Sequence, residues 1–406
     1  MTATPARRII IPEWMNAPPL QRLLDLLGDA RFVGGAVRDT LVGRDVGDLD
    51  VATPLAPDTV IRRLEAGGVR VVPTGLAHGT VTAVLEDRAI EITTLRRDVE
   101  TDGRHAVVAF TDDWTVDAAR RDFTMNALYL DRAGNLFDPL GSGIADALAG
   151  RVRFVGDAGA RIEEDSLRIL RFYRFQAHYG RVAIEPETRL ACCRRAGLLA
   201  RLSGERIRIE LLKLLQAAEP LPVLTALVED AIWRKIGLPE PVALNRLARL
   251  LRHDAEPDGL RRLASLLKAG VTQTVMRLRL SNDEAERLHA LVEWALPKWD
   301  AGPVAHHRAL YERGRRFYRD LALLAVARGR DPGPLAEHLA LAASWPIPTF
   351  PIRGRDLVTL GMTPGPEISE TLRRVETWWA EGDFTADHHA CLTEAGRHLA
   401  TRDLTG

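Results

Sequence analysis

Apolar and polar residues follow two different periods along the chain, and the change between them divides it into two regions. Up to about residue 152, short apolar runs of strand length are bounded by glycine, proline and charged residues, and they alternate with short amphipathic helical patterns. From about residue 153 the strand patterns stop, and a helical period continues almost to the end. This pattern predicts an α+β fold, in which a small mixed sheet with helices is followed by an all-helical remainder.

The periodicity also predicts individual elements in the first region. Residues 98–106 are rich in charge and glycine and are expected to form a mobile loop. Strands are expected at residues 30–33, 49–52, 69–72, 79–85 and 89–95, and helices at 20–27, 37–42, 57–66 and 115–128.

A pair of glycines separates the first strand from its helix, and two aspartates follow. Gly34 and Gly35 allow the backbone N–H groups to turn toward an anion, and a helix N-terminus adds its positive end. Asp48 and Asp50 alternate along the next predicted strand, so both carboxylates project from one face. Paired carboxylates suit Mg²⁺, and a phosphate-binding turn beside them suits metal-assisted chemistry on a nucleoside triphosphate. The alternative is a surface turn followed by two solvated aspartates.

Three further charged positions extend this candidate site. Glu91 lies between two isoleucines of a predicted strand, where it is either a third carboxylate beside Asp48 and Asp50 or part of a solvated face. Arg121 and Asp122 lie in the predicted helix 115–128, where they would hold triphosphate and ribose or form a surface ion pair.

A row of charges at intervals of three residues marks the first helix after residue 153. Asp165 and Arg168 are expected to be neighbours on one helix face, and Arg171 and Arg174 continue the row. An aspartate accepting from an exocyclic amino group and an arginine donating to a ring nitrogen would select cytosine and adenine over uracil and guanine. A solvated arginine row is the alternative. Further along, Glu205 and Glu210 are candidates to support the arginine row from behind. Ser203 is a candidate N-cap for the helix that carries these two glutamates.

Composition sets limits on the class of protein. The chain has 406 residues, 46% hydrophobic and 27% charged, which predicts a globular protein of two to four domains. A net charge of zero argues against indiscriminate coating of nucleic acid. No apolar stretch reaches membrane-spanning length, and residues 1–8 are too short and polar for a secretory signal. Cysteines 192, 193 and 391 show no metal or disulfide spacing, so a reducing cytoplasm is expected.

Other motifs in the helical region are weaker. His253-Asp254 resembles a phosphohydrolase metal doublet but lacks a partner histidine, so it is expected to lie on the surface. Residues 310–319 interleave arginines with aromatics and are a candidate RNA surface. The glycine- and proline-rich turns from Arg353 onward would either meet a phosphate or form a capped structural turn.

Taken together, these stretches resemble the class II tRNA nucleotidyltransferases, the CCA-adding enzymes, which share a head with the bacterial poly(A) polymerases. The resemblance covers roughly residues 31–215 and is looser afterwards. The matching stretches are VGGAVRD, GDLDVAT, TGLAHGTVTAV, EITTLRRD, TDGRHAVVAFTDDW, DAARRDFTMNAL, FDPLGSGIADALAGRVRFVG, RIEEDSLRILRFYRF and SGERIRIELLKLL, with IRGRDLVTLGMTPGP further on.

The resemblance implies a fold and a division of the chain. It implies a seahorse-like molecule with a polymerase-β-type nucleotidyltransferase head at residues 1–152, a nucleotide-selecting neck at 153–220, and a tRNA-binding body at 221–344 and tail at 345–406. Many members of the family carry a C-terminal phosphohydrolase domain, and none is recognised in this sequence.

The resemblance also implies the reaction and the site residues. The reaction is template-independent addition of C, C and A to the tRNA 3′ end from CTP and ATP, with two Mg²⁺ ions expected. Poly(A) synthesis, addition of only C or only A, and a catalytically inactive RNA-binding protein are the alternatives, and the protein is either a monomer or a weak dimer. Asp48, Asp50 and Glu91 match the catalytic metal ligands; Gly34, Gly35, Arg38, Arg121, Asp122, Asp165, Arg168, Arg171 and Arg174 match the nucleotide-binding residues.

Overall fold

A computed structural model describes residues 4–86, 88–101 and 106–403, without the side chains of 98–101, 106–107 and 399–403. The described chain forms two compact units, Met1–Glu240 with Gln273–Leu280, and Pro241–Thr272 with Ser281–Gly406. The first unit therefore contains the predicted head and neck and two parts of the predicted body, 221–240 and 273–280. Among the described residues, no helix is both long and apolar enough to cross a lipid bilayer.

The strands form one eight-stranded sheet and a separate hairpin. In the large sheet the order is β1-β10-β9-β2-β3-β6-β5-β4, and only the β3–β6 pairing is parallel. The hairpin consists of β7 and β8. The strands are β1 Arg7–Arg8, β2 Arg31–Val33, β3 Asp50–Thr53, β4 Arg70–Gly75, β5 Thr80–Leu85, β6 Arg88–Thr94, β7 Arg96–Thr101, β8 Ala106–Phe110, β9 Tyr129–Leu130 and β10 Asn135–Phe137.

Helices flank this sheet and make up nearly all of the described structure beyond it, which confirms the predicted fold class. In the first unit they are α1 Pro18–Leu27, α2 Gly35–Leu41, α3 Pro57–Ala66, α4 Trp114–Ala119, α5 Gly143–Ala149, α6 Ala158–Glu164, α7 Leu167–Tyr179, α8 Pro186–Arg195, α9 Gly204–Leu215, α10 Leu221–Glu229, α11 Ile232–Lys235 and α14 Val271–Leu278, of which α14 begins two residues before the boundary. In the second unit they are α12 Leu244–Leu251, α13 Gly259–Leu266, α15 Asn282–Glu293, α16 Pro303–Ala327, α17 Leu335–Ser344, α18 Gly354–Thr359, α19 Pro366–Glu381 and α20 His388–Asp403.

Two predictions of local structure before residue 153 were wrong. Residues 115–128 are not one helix: α4 ends at Ala119, because Asp122 and Thr124 form backbone hydrogen bonds with the 153–155 segment and Phe123 bridges to Phe154. The predicted loop 98–106 is strand at 98–101 and at 106, where β7 pairs with β8, and its residues 102–105 lie outside the described structure. Tertiary pairing overrode local propensity in both places.

Asp254 was expected at the surface and is instead buried. Its carboxylate accepts from Arg262 Nε at 2.6 Å and also pairs with Arg261, whose Nη1 lies 2.5 Å from Asp320 Oδ1. Arg287 joins the same group through Asp320 at 2.7 Å. Three arginines and three aspartates, with Asp258 as the third, neutralise one another inside the second unit. Burial without these partners would be prohibitive.

The tyrosines of residues 310–319 pack in the core of the second unit. Tyr311 packs edge-on against Trp379, and Tyr318 is fully buried. Arg315 donates to the main-chain carbonyls of Ala342 and Trp345 at 2.7 Å each. The tyrosines of this candidate RNA surface are therefore used in internal contacts, while the Arg316 side chain is 67% exposed.

Two buried histidines share the Tyr318 hydroxyl, and we call His306, Tyr318 and His338 the histidine–tyrosine cluster. Tyr318 Oη lies 2.8 Å from Nδ1 of each imidazole, and His306 Nε2 lies 2.9 Å from the Lys298 carbonyl. The Lys298 carbonyl can only accept, so His306 carries its proton on Nε2 and donates it to that carbonyl. Nδ1 of His306 then accepts from the Tyr318 hydroxyl, and the Tyr318 oxygen accepts from Nδ1 of His338. Burial lowers the pKa of both imidazoles, so both are neutral.

Candidate active site

The glycine turn lies between two strands of the large sheet, as predicted. Gly34 links β2 to α2 with φ of 70° and ψ of −123°, a conformation that a side chain would strain. Val33 pairs with Asp50 across β2 and β3, so the turn and the first residue of β3 lie side by side. A Cβ atom built on Gly34 would lie 4.0 Å from both Asp50 Oδ2 and Arg121 Nη1.

The structure brings Glu91 directly beside Asp50. The two residues pair in register across the parallel strands β3 and β6, so their side chains leave the same face of the sheet. Asp48 is exposed in a bend two residues before the strand begins, so it does not alternate with Asp50 along one strand as the sequence suggested. Glu91 therefore lies beside Asp50 through sheet pairing, and its side chain is also exposed to solvent.

Burial and neighbouring charges change the pKa of Asp50. Burial first, and then the charges of Glu91 and Asp48, raise the pKa of Asp50 to about 6, and the charge of Arg121 opposes the shift. Like charges held this close favour a bound cation, and carboxylate oxygens are the donors that Mg²⁺ prefers. Among the described residues, no group of three or more His, Cys, Asp or Glu side chains is placed to hold a metal ion. The donor set thus fits a hard cation whose remaining ligands come from water or substrate.

Arg121 is held from behind by Asp117, a residue that the sequence analysis did not single out. Arg121 Nη2 lies 2.8 Å from Asp117 Oδ2, and the Tyr129 hydroxyl donates to the same oxygen at 2.8 Å. Arg120 Nη2 lies 2.7 Å from Asp117 Oδ1. The sequence contained a usable signal, because Asp117 precedes the two arginines by three and four residues, the spacing of ion pairs on a helix.

Arg38 is engaged by other side chains of the first unit. It makes a bidentate pair with Asp39 at 2.9 and 3.0 Å, and its Nη1 donates to Asn126 Oδ1 at 2.6 Å. Its Nη2 donates to the Tyr179 hydroxyl at 2.6 Å, and the guanidinium lies 4.0 Å from the centre of that ring. Arg38 therefore ties α2 to the end of α7, and its Nη2 also lies 3.7 Å from a Cβ atom built on Gly35 of the glycine turn.

Asp122 connects the head to the arginine row. Its Oδ2 accepts from Arg171 Nε at 2.8 Å, and its Oδ1 accepts from Asn126 Nδ2 at 3.0 Å. Burial alone would raise the pKa of Asp122, but the Arg171 charge and these hydrogen bonds lower it, so the carboxylate stays ionised. On the far side of the row, buried Glu210 pairs with Arg174 Nε at 2.5 Å and lies 3.6 Å from Arg171. The predicted bracing by Glu210 is confirmed, whereas Glu205 pairs with Arg279.

Asp165 and Arg168 do not share a helix face. Asp165 has extended backbone between α6 and α7, and its Oδ1 accepts from the Leu167 N–H at 3.1 Å. Its Oδ2 accepts from Arg206 Nη2 at 2.7 Å. The helix predicted through Asp165 was wrong because an aspartate that caps the next turn leaves the helical conformation. The Arg206 contact had no signal in the sequence, since Arg206 is 41 residues away.

Arg168 is anchored at the junction of α6, α7 and α4. Its Nη1 donates to Glu164 Oε2 at 2.7 Å and to the Arg161 carbonyl at 3.1 Å, and its Nη2 donates to the Arg120 carbonyl at 3.2 Å. The Asp165 carbonyl accepts from the Arg168 N–H at 3.0 Å. The two residues are therefore neighbours through the backbone, and each side chain is held by a different partner.

Comparison with known proteins gives two family matches. The family described as "Poly A polymerase head domain" matches residues 30–153, and "Probable RNA and SrmB- binding site of polymerase A" matches residues 181–241. The first match covers the large sheet from β2 to β10 and every carboxylate of the candidate metal site. Nucleotidyltransferase heads of this kind typically use metal ions.

Relatives match along most of the chain. A zebrafish (Danio rerio) protein named CCA tRNA nucleotidyltransferase 1, mitochondrial, is 36% identical over 370 residues, which cover 88% of this chain and 84% of the relative. A CCA-adding enzyme from Geobacillus stearothermophilus is 34% identical over 378 residues, covering 87% and 91%. Because the zebrafish relative carries a mitochondrial name, the cytoplasmic location stays a prediction.

A solved structure shares the fold. The crystal structure of the Bacillus stearothermophilus CCA-adding enzyme in complex with CTP superimposes with a TM-score of 0.76 at 29% identity, covering 96% of this chain and 100% of that one. The similarity thus extends well beyond the head, into both compact units.

Proposed function

The chain belongs to the CCA tRNA nucleotidyltransferase family, and we propose that it builds the 3′-terminal CCA of tRNA from CTP and ATP. In each cycle the tRNA 3′-hydroxyl attacks the α-phosphorus, a new O–P bond forms, the bond to the β-phosphate breaks, and pyrophosphate leaves. The observation that carries the proposal is the pairing of Asp50 with Glu91 beside Gly34 and Arg121. It supports the proposal because two carboxylates that would bind a metal ion lie beside a turn that would bind phosphate.

We assign the triphosphate to the glycine turn and Arg121. The N–H groups of Gly34 and Gly35 would face the phosphates, and Arg121 would offset the charge that develops during transfer. Asp122 would bind the ribose, in exchange for or beside its contact with Arg171. Arg38, which lies beside Gly35, would contact the phosphates in exchange for one of its present partners or alongside them.

We assign the metal site to Asp48, Asp50 and Glu91. The raised pKa of Asp50 supports this, because a cation would offset the repulsion that contributes to it. Two bound Mg²⁺ ions would supply the charge that lowers the pKa of the attacking hydroxyl and stabilises the leaving pyrophosphate. The exposure of Asp48 and Glu91 leaves room for water and phosphate oxygens to complete the coordination.

We assign base choice to Asp165 and Arg168, with Arg171 and Arg174 beside them. Cytosine and adenine offer an amino donor next to a ring-nitrogen acceptor, which an aspartate and an arginine complement. Uracil and guanine reverse the pattern, and each unpaired buried group costs about 1–3 kcal/mol. Arg206, Glu164 and Glu210 support this assignment, because they hold the selecting side chains in fixed orientations.

The division of labour along the chain is part of the proposal. The head, 1–152, transfers the nucleotide and the neck, 153–220, selects it. The body, 221–344, and the tail, 345–406, bind the tRNA through its shape and backbone.

One assay tests the function. The protein is incubated with tRNA lacking its 3′ end, with CTP and ATP supplied singly and together, and the products are sequenced. We expect C-C with CTP alone and C-C-A with both. Runs of A would indicate a poly(A) polymerase, a single nucleotide type would indicate a partial enzyme, and no product would indicate an inactive RNA-binding protein.

Two substitutions test the assigned residues. Asp50→Ala should abolish incorporation while tRNA binding in a filter assay persists, whereas Asp58→Ala, an exposed aspartate on α3, should leave both unchanged. Arg168→Ala should increase UTP incorporation relative to CTP, and Arg194→Ala, exposed on α8, should not. Unchanged selectivity in Arg168→Ala would refute the assignment of base choice.

A further inference from the structure

Asp117 is a buried carboxylate on which donors from four different residues converge. Its side chain is 1% exposed. Besides Arg120, Arg121 and Tyr129, the backbone N–H of Arg96 donates to its Oδ1 at 3.3 Å. Burial would raise the pKa of Asp117, but the charges of Arg121 and Arg120 outweigh it and lower the pKa, so the carboxylate is ionised throughout the neutral range.

These contacts fix one edge of the Arg121 guanidinium. Its Nε lies 3.2 Å from Asp117 Oδ2 and 3.3 Å from the Tyr129 hydroxyl, and its Nη2 lies 2.8 Å from Asp117 Oδ2. The remaining nitrogen, Nη1, lies on the side of the glycine turn and Asp50. An arginine held along its Nε–Nη2 edge presents Nη1 in a single direction, because the guanidinium is planar and rigid.

The sheet sets the position of this anchor relative to the metal ligands. Tyr129 of β9 pairs with Val33 of β2, Val33 pairs with Asp50 of β3, and Asp50 pairs with Glu91 of β6. These four residues form one row across four hydrogen-bonded strands, and their side chains leave the same face. The row therefore ties the hydroxyl that touches Asp117 and Arg121 to Asp50 and Glu91 of the candidate metal site through hydrogen-bonded strands.

We propose that Asp117 and Tyr129 are positioning residues that orient Arg121 toward the triphosphate. The inference rests on the proposed function. It adds that triphosphate binding depends on these two buried side chains. The Asp117 carboxylate offsets one of the two positive charges of Arg120 and Arg121. The three side chains together therefore keep a net charge of +1, which attracts the phosphates. Tyr129 supplies the geometry, because its hydroxyl donates to Asp117 Oδ2 while its oxygen accepts from Arg121 Nε.

The test uses the full-length protein and variants Tyr129→Phe and Asp117→Asn. Tyr129→Phe keeps the ring, which packs edge-on against Trp114 with centroids 5.1 Å apart, and removes only the hydroxyl. Tyr318→Phe is the matched control, since it removes a fully buried, hydrogen-bonded hydroxyl in the second unit. The measurements are kcat and KM for CTP, inhibition by inorganic tripolyphosphate, tRNA affinity and thermal midpoint.

We expect Tyr129→Phe to raise the KM for CTP and the inhibition constant of tripolyphosphate by the same factor, about 3- to 10-fold, which is the scale of one lost hydrogen bond. Asp117→Asn should raise both by more than about 10-fold, because an amide cannot accept from both arginines on both sides. Tyr318→Phe should lower the thermal midpoint and leave the inhibition constant of tripolyphosphate unchanged. The tRNA affinity should be unchanged in Tyr129→Phe and Asp117→Asn.

A double-mutant cycle separates positioning from general structure. In an Arg121→Lys background, Asp117→Asn should raise the tripolyphosphate inhibition constant far less than in the wild type, because the group it orients is gone. The inference would be overturned if Asp117→Asn had equal effects in both backgrounds. It would also be overturned if Asp117→Asn lowered the thermal midpoint but left the KM for CTP and the tripolyphosphate inhibition constant unchanged. Failure of the wild type to extend tRNA would instead refute the proposed function, so the two failures are distinguishable.

Discussion

Replacing Gly34 with alanine is the sharpest test of the glycine turn. At φ of 70° and ψ of −123°, an alanine would be strained by about 1–3 kcal/mol. The added methyl would meet Asp50 Oδ2 and Arg121 Nη1 at 4.0 Å, which is ordinary van der Waals contact, so no clash prevents folding. It would, however, occupy the space between the arginine and the carboxylate, where the triphosphate is proposed to bind.

Gly43 provides a matched control for the backbone strain. Its φ is 69°, and a Cβ atom there would meet nothing within 4 Å. We expect Gly34→Ala and Gly43→Ala to lower the free energy of unfolding by similar amounts, about 1–3 kcal/mol, in urea titrations. Their effects on catalysis should differ, because only the methyl at position 34 lies in the proposed cradle.

The kinetic expectation is a loss of at least about tenfold in kcat/KM for CTP in Gly34→Ala, equivalent to about 1.4 kcal/mol of transition-state stabilisation. Gly43→Ala should stay within about twofold of the wild type, since a surface change of this kind costs stability alone. Steady-state extension of tRNA lacking its 3′ end, at a temperature well below both unfolding midpoints, measures both. Equal losses in the two variants, or full activity in Gly34→Ala, would refute the assignment of the turn to triphosphate binding.

Three further predictions concern buried groups. Glu210→Gln should loosen Arg174 and increase UTP misincorporation several-fold in competition assays with CTP, and an unchanged ratio would contradict its bracing role. Asp254→Asn should destabilise the second unit by about 3–5 kcal/mol, measured by urea unfolding, because it leaves buried arginine charge unpaired. The histidine–tyrosine cluster should destabilise that unit in acid: folding lowers both imidazole pKa values below the unfolded value of about 6.5, so its stabilising contribution is present above that pH and is lost below it. Urea midpoints that stay constant from pH 7.5 to about pH 5.5 would contradict this last prediction.

The sequence was most informative where chemistry depends on short spacing. Gly34 and Asp50 could be recognised because a strand, a turn and a second strand adjoin in the chain, and the structure pairs them as neighbouring strands. Glu91 was harder, since its approach to Asp50 depends on the parallel pairing of strands about forty residues apart. Local spacing misled at Asp165, where a cap interrupts the helix, and at residues 115–128, where pairing with 153–155 ends it.

The roles of the arginines depended on partners distant in sequence. Arg38 matched a phosphate-binding motif, and the structure shows its guanidinium held by Asn126 and Tyr179, which are 88 and 141 residues away. No periodicity connects such positions. Arg121 shows the opposite case, because its motif identified the residue while its orientation depends on Asp117 and Tyr129.

The sequence by itself determined the class of fold, the family and the identity of most candidate site residues, because these depend on periodicity and on motifs a few residues long. Only the tertiary structure decided which carboxylates lie side by side, how Arg38 and Arg121 lie beside the glycine turn, and which arginines are already paired. The physical reason is that a charge acts over a few ångströms of space, and strand register and helix packing, not sequence distance, bring those charges together.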